Sequence, residues 1–225
     1  MNPGSLRIGW RAVAGIVLAL AALPAVHAQG IDAEQIVLHG NGRGAHACAS
    51  CHGNHAEGNQ LAGIPHLAGL PDAYLARQLT HFQAQARDNP SMQVIAHTLT
   101  PDEITALARH FAALPPPLTP PADALPPPLG VAMAEQGRGA VPACATCHGP
   151  GGVGLGATFP PLAGQSALYI RRQLEAWQQG KRPPGPLGMM GAIARCLTAS
   201  EMAAVSLYYE QQPTAPVAVG EAGTP

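Results

Sequence analysis

Apolar and polar positions alternate at helical spacing in two long stretches of the chain. Tyr74, Leu75, Gln78, Leu79 and Phe82 share one face over residues 72–85, and Tyr169, Gln173, Leu174 and Trp177 repeat the pattern over 167–179. Three- and four-residue spacing predicts a helix in each stretch, and Gly180 supplies a stop for the second. A later pair of helices is marked at its starts. Thr100-Pro101-Asp102-Glu103 and Thr198-Ala199-Ser200-Glu201 have the form of a capping box, in which the threonine and the glutamate satisfy each other's end of the backbone. Pro101 occupies the first helical position, where its missing N–H costs nothing. Ile104, Leu107, Ala108 and Phe111 form the apolar face of the first of these helices, and Met202, Val205 and Tyr209 that of the second. Shorter helices are expected around Ala33–His39 and Val131–Gln136. No stretch reads as a strand, so the predicted fold class is all-α.

These helices belong to an internal repeat. Gly42-Arg43-Gly44 matches Gly137-Arg138-Gly139, and Pro65-His66-Leu67-Ala68-Gly69 matches Pro160-Pro161-Leu162-Ala163-Gly164. Arg87 matches Arg182, and Met92-x-x-Ile95-Ala96 matches Met190-x-x-Ile193-Ala194. The second copy has three extra residues between Arg182 and Met190. The expected organisation is a leader over 1–28, a first domain over 29–114, a spacer over 115–128, a second domain over 129–212 and a disordered tail over 213–225. The leader reads as a cleavable secretory signal: Arg7 and Arg11 precede an uncharged apolar run from Ala12 to Val26, and Val26-His27-Ala28 offers small residues for cleavage. The run is short for a membrane span and Pro24 interrupts it. Eight prolines between Leu114 and Pro128 predict an extended, semi-rigid spacer.

Composition adds a shortage. At 225 residues the chain suits two small domains, yet aromatics are only 4% of it. A bulky buried prosthetic group in each domain would make good the deficit. The net charge of −1 argues against nucleic acid as a partner. The halves differ in sign: residues 29–114 carry 4 basic and 7 acidic groups, and residues 129–212 carry 6 and 4. This asymmetry predicts that the two halves dock different partners, with salt-sensitive steering.

The chemistry sits in a pentapeptide that occurs twice, Cys48-Ala49-Ser50-Cys51-His52 and Cys144-Ala145-Thr146-Cys147-His148. C-x-x-C-H is the attachment pattern of c-type haem: each thiol forms a thioether with one vinyl group, and the histidine becomes the proximal iron ligand. Two haem c groups are therefore expected. A shared zinc site is the alternative for paired C-x-x-C motifs, but each copy here carries its own adjacent histidine. A thioredoxin-like redox motif would need strand-like surroundings that are missing. Cys196 is left over, and its expected role is a small buried apolar residue.

The opposite face of each iron needs a further ligand. His148 is the only histidine of the second repeat, so a second imidazole from that repeat is excluded. Met189 and Met190 are the nearby sulfur donors, and Met190 aligns with Met92, the one methionine of the first repeat. A thioether donor raises the potential, and full ligation closes the iron to oxygen and peroxide, which suits electron transfer. Both methionine segments read as proline-rich loops. His39, His46, His55, His66, His81, His97 and His110 are spare histidines that could compete with Met92. Proximal imidazoles need an acceptor for their other N–H, and the carbonyls of Pro65 and Pro160 are candidates. Arg87, Arg182 and Lys181 are candidate partners for haem propionates.

Taken together, the paired C-x-x-C-H sites, P-x-L-A-G, the Tyr/Gln/Leu helix, the arginine, M-x-x-I-A and the T-x-x-E helix resemble the dihaem cytochrome c4 family over nearly all of the chain after the leader. The resemblance implies two tandem class I cytochrome c domains, with His52 and Met92 on one iron and His148 and Met190 on the other. It implies a periplasmic electron carrier, not an enzyme, between the bc1 complex or dehydrogenases and a terminal oxidase. A haem subunit of a dehydrogenase complex, such as flavocytochrome c sulfide dehydrogenase, would use the same ligands. A dihaem enzyme would need a replaceable ligand or a thiol on iron, for which Cys196 is the only candidate.

Overall fold

A computed structural model describes Met1, residues 30–118 and residues 125–214. Residues 2–28 of the expected leader, the middle of the spacer and most of the tail lie outside the described residues. Among the described residues there are helices and isolated bridges, and no strand.

In the first repeat the helices are α1 (Ala33–His39), α2 (Ala49–His52), α3 (Asp72–Gln83), α4 (Pro90–His97) and α5 (Pro101–Ala113). In the second they are α6 (Pro128–Glu135), α7 (Ala145–His148), α8 (Ala167–Gln178), α9 (Met189–Arg195) and α10 (Ala199–Glu210). Each repeat has its own core. Ile36, Leu75, Ile104, Leu107 and Phe111 join α1, α3 and α5. Met133, Ile170, Leu174, Met202, Val205 and Tyr209 join α6, α8 and α10.

The predicted capping boxes form at α5 and α10, with both reciprocal hydrogen bonds in place. Their glutamates do a second job. Glu103 pairs with Arg43 and Glu201 pairs with Arg138, which ties each Gly-Arg-Gly turn to the start of the last helix. The Glu201 carboxyl is held down at about 2, first by Arg138 and then by the Thr198 backbone N–H. At neutral pH it is therefore ionised in both roles.

Three local expectations are corrected. α3 ends at Gln83 rather than Gln85, because Gln85 takes φ +56° and turns the chain. Its counterpart Gly180 (φ +68°) adopts the same left-handed turn without a Cβ penalty. The methionine segments are helical, not loops. Asn89 accepts a hydrogen bond from Met92 N at 3.0 Å, and Pro90 starts α4. Cys196 is exposed rather than buried. It caps α9, and the next residue, Leu197, fills the core position instead.

The repeats meet through loops and through α3 and α8. Gln165 accepts from His66 N and donates to His66 O, both at 3.1 Å. Ser166 Oγ donates to Gln60 O at 3.0 Å, and Asp88 N donates to Lys181 O at 2.8 Å. The described part of the spacer follows the surface: Pro116 packs on Gly69, and Pro117 O accepts from Thr214 Oγ1 at 2.7 Å. Among the described residues no helix is long and apolar enough to cross a membrane.

Candidate functional site

Each pentapeptide folds as a single helical turn. The N–H groups of Cys51 and His52 donate to Cys48 O at 3.2 and 2.9 Å, and Cys147 and His148 treat Cys144 O in the same way at the same distances. Residues three and four apart then lie on one face, so both sulfurs and the imidazole of each motif point the same way. Gly53 and Gly149, at φ +83° and +77°, end the turns. The following loops fold back until Gly58 N and Gly154 N donate to the histidine carbonyls at 2.7 Å.

That return fixes the imidazoles. His52 Nδ1 lies 2.9 Å from Pro65 O, and His148 Nδ1 lies 2.9 Å from Pro160 O. A carbonyl only accepts, so Nδ1 carries the proton and Nε2 keeps its lone pair. Burial pulls both histidines below their ordinary range, and the carbonyls offset it in part. Neutral imidazole with a free Nε2 is the form an iron ligand requires. Phe159 stands edge-on to His148 at 6.2 Å.

In the second repeat a cavity of about 390 Å³ opens beside this turn. Cys144, Cys147 and His148 line one side, Met189, Met190 and Ile193 another, and Tyr74, Gln78 and His81 reach in from the first repeat. Each methionine helix is tied to the helix before it by a glutamine outside the repeat motifs. Gln83 Nε2 donates to the carbonyls of Ala96 and Leu99 at 3.2 and 2.8 Å. Gln178 Nε2 donates to those of Ala194 and Leu197, both at 2.8 Å. Each glutamine satisfies carbonyls that a helix end leaves open. Ala96 is four residues past Met92 and Ala194 four past Met190, so the two clamps give these methionines the same register. The recurrence of Gln five residues after Gln78 and after Gln173 was the available signal.

Between the repeats lies a symmetric buried cluster. Arg87 donates to Gln78 Oε1 (3.0 Å) in its own repeat, and to Tyr169 Oη (2.9 Å) and Gln173 Oε1 (2.6 Å) in the other. Arg182 donates to Gln173 Oε1 (3.3 Å), and across to Tyr74 Oη (3.1 Å) and Gln78 Oε1 (3.1 Å). The guanidiniums stack on Phe82 and Trp177, 4.5 and 4.0 Å from the ring centroids. Burial, then the charge of Arg87, lowers the Arg182 pKa. Burial would raise the Tyr169 hydroxyl, but the two arginines outweigh it and bring it below its ordinary value. Both arginines are buried, and the ion pairs among the described residues involve other side chains. Two buried cations served by neutral acceptors fit a group that brings carboxylates of its own. Lys181, the third candidate, is exposed.

The residues therefore fit two covalently attached haems: free thiols spaced for two vinyl groups, an oriented neutral imidazole, a sulfur-bearing far wall and buried cations. No cluster of His, Cys, Asp or Glu among the described residues is arranged to hold a bare metal ion. Of the spare histidines, only His66 is buried, and it belongs to the contact with Gln165. Fold and site together define a helical protein with two c-type cytochrome domains.

Comparison with known proteins narrows this. The family model "Cytochrome C oxidase, cbb3-type, subunit III" matches residues 26–111, and "Cytochrome c" matches residues 134–212. A thiosulfate dehydrogenase electron acceptor of Stutzerimonas stutzeri is 43% identical over 201 residues, covering 84% of this chain and 90% of that protein. Cytochrome c4 of Thiocapsa roseopersicina is 40% identical over 171 residues, covering 72% and 85%. The as-isolated thiosulfate dehydrogenase structure from Marichromatium purpuratum superposes with a TM-score of 0.73 at 41% identity, over 80% of this chain but only 40% of that one. The chain belongs to the dihaem cytochrome c4 family. It is an electron-transfer protein with two haem c groups, and its partners are redox proteins.

Proposed function

We propose that the chain works in the periplasm, accepting electrons from a dehydrogenase, thiosulfate dehydrogenase first among them, and passing them towards a terminal oxidase. The likeness to a thiosulfate dehydrogenase electron acceptor over 90% of that protein's length carries the choice of donor. The bc1 complex is the alternative donor. In this reading Cys48, Cys51, His52 and Met92 hold one haem in a domain spanning 29–114. Cys144, Cys147, His148 and Met190 hold the other in a domain spanning 129–212, after a leader cleaved past Ala28. When bound, each haem supplies one reversible Fe(III)/Fe(II) step.

The chain's own residues supply the setting. Pro65 and Pro160 keep the imidazoles neutral and oriented. The glutamine clamps tie each methionine helix to the helix before it. Arg87 and Arg182 each bond to both repeats, and as buried cations they would hold haem propionates. A second reading, a haem-bearing portion of a dehydrogenase assembly, draws on the match to 40% of a longer thiosulfate dehydrogenase chain. A second polypeptide that co-purifies stoichiometrically would favour it.

Stopped-flow mixing tests the proposal. Thiosulfate with catalytic thiosulfate dehydrogenase should reduce both haems, at a rate that depends on ionic strength. Arg171→Glu should slow exchange with either the donor or the oxidase, but not both, because the halves differ in charge. Equal slowing with both would contradict separate docking faces. Arg171 is the cleaner probe, since Arg172 Nη1 donates to Ala62 O of the first repeat at 3.1 Å.

A further inference from the structure

The two repeats differ at one position next to the haem-attachment turn. Phe111 O accepts from Gly69 N at 3.0 Å, and Tyr209 O accepts from Gly164 N at 2.8 Å, so Phe111 and Tyr209 are equivalent. The second repeat thus carries a hydroxyl that the first lacks. Tyr209 is 1% exposed, lines the cavity of the second site and has no hydrogen-bond partner for its hydroxyl. Cys144 lines the same cavity, and the hydroxyl and the Cys144 thiol perturb each other's ionisation. Its neighbour Tyr208 is satisfied separately, donating to Glu135 Oε1 at 3.0 Å.

The ring cannot turn away. Gly152, at φ +78°, lies so close that a Cβ there would come within 2.6 Å of Tyr209 Cδ1 and Cε1. Tyr208 packs edge-on to it with ring centroids 5.0 Å apart. A buried hydroxyl without a partner is costly, and phenylalanine would avoid that cost, as it does in the first repeat. The position therefore bears a group that is costly in isolation, on the wall of the cavity that Cys144 also lines.

We propose that Tyr209 is a positioning and tuning residue of the second haem, its O–H donating to the Cys144 sulfur and thereby favouring the reduced state of that haem alone. The inference rests on haem attachment at Cys144. A free Cys144 thiol has a proton and gives it to Met133 O at 3.4 Å. A thioether has none, and sulfur then acts only as a weak acceptor. The tyrosine is left as donor, with the positive end of its dipole directed at an atom bonded to the porphyrin. A fixed positive dipole in a dry site stabilises the form with one more electron. The two otherwise similar domains are thus biased: the second is the better electron acceptor by the contribution of one hydroxyl.

The test uses holoprotein. Tyr209→Phe should retain two covalent haems by mass and by pyridine haemochrome absorbance. A net hydrogen bond of about 0.5–1.5 kcal/mol corresponds to a roughly two- to twelvefold change in an equilibrium. At a fixed solution potential near the midpoint, the oxidised-to-reduced ratio of one haem should therefore rise by that factor, with the other unchanged. The reciprocal Phe111→Tyr should lower the ratio at the other haem. A single haem in the starting protein would remove the attachment reading itself. Two haems with unmoved potentials in Tyr209→Phe, or equal movement of both, would overturn the tuning role and leave attachment standing.

Discussion

Replacing Met190 by alanine is expected to lower the potential of one haem on the order of 0.1–0.2 V, while both haems stay covalently bound. Axial ligation sets haem potentials over a range of about 0.8 V, and a thioether donor lies towards the upper part of it. Met190 packs against the second core, in the register that Gln178 imposes on α9. Met92 has the same register in α4 through Gln83. The matching Met189→Ala substitution should leave both potentials within a few tens of millivolts of the parent, on the order of an ordinary second-sphere effect. Spectroelectrochemistry of the two variants separates the neighbours. A large shift in Met189→Ala and none in Met190→Ala would reverse the assignment.

Arg87→Ala should destabilise the holoprotein by roughly 2–4 kcal/mol, read from guanidinium chloride unfolding followed by visible absorbance. The substitution removes three hydrogen bonds at once, two of which cross between the repeats. It takes the cation from Tyr169, leaves Gln173 only its longer bond to Arg182, and removes a cation that would balance haem propionates. Lysine should restore little of this. Its point charge cannot reach Gln78, Tyr169 and Gln173 together as a planar fork does, and it stacks less well on Phe82. A loss under about 0.5 kcal/mol would mean that the junction behaves like a solvated surface pair.

Much of the scaffold is readable in advance because it is written in local chemistry. Capping boxes at Thr100 and Thr198, the apolar faces of α3, α5, α8 and α10, and the carbonyl partners of His52 and His148 follow from residue types at short spacing. The cluster of Arg87 and Arg182 was half legible. The repeat aligned the two arginines and paired Gln78 with Gln173, but sequence has no way to say that each arginine crosses to the other repeat. The methionine helices were hidden by their prolines. Pro90 starts a helix capped by Asn89, and proline at that position is compatible with helix rather than a sign of loop. Cys196 was misread because burial was assigned by residue type, whereas the turn after α9 gives the inward place to Leu197. Tyr209 was read as part of an apolar face. Its ring does pack there, and only the three-dimensional neighbourhood reveals that its hydroxyl is buried without a partner on a cavity wall shared with Cys144.

The central claim is that both domains hold their haem between a histidine and a methionine. A potentiometric titration of the holoprotein, with visible spectra recorded at each step, tests it most directly. The account predicts two high-potential, six-coordinate haems, both with the spectroscopic signature of a methionine ligand and neither binding carbon monoxide readily when reduced. One low-potential haem, or one without the methionine signature, would contradict it and place the affected domain among sites open to catalysis.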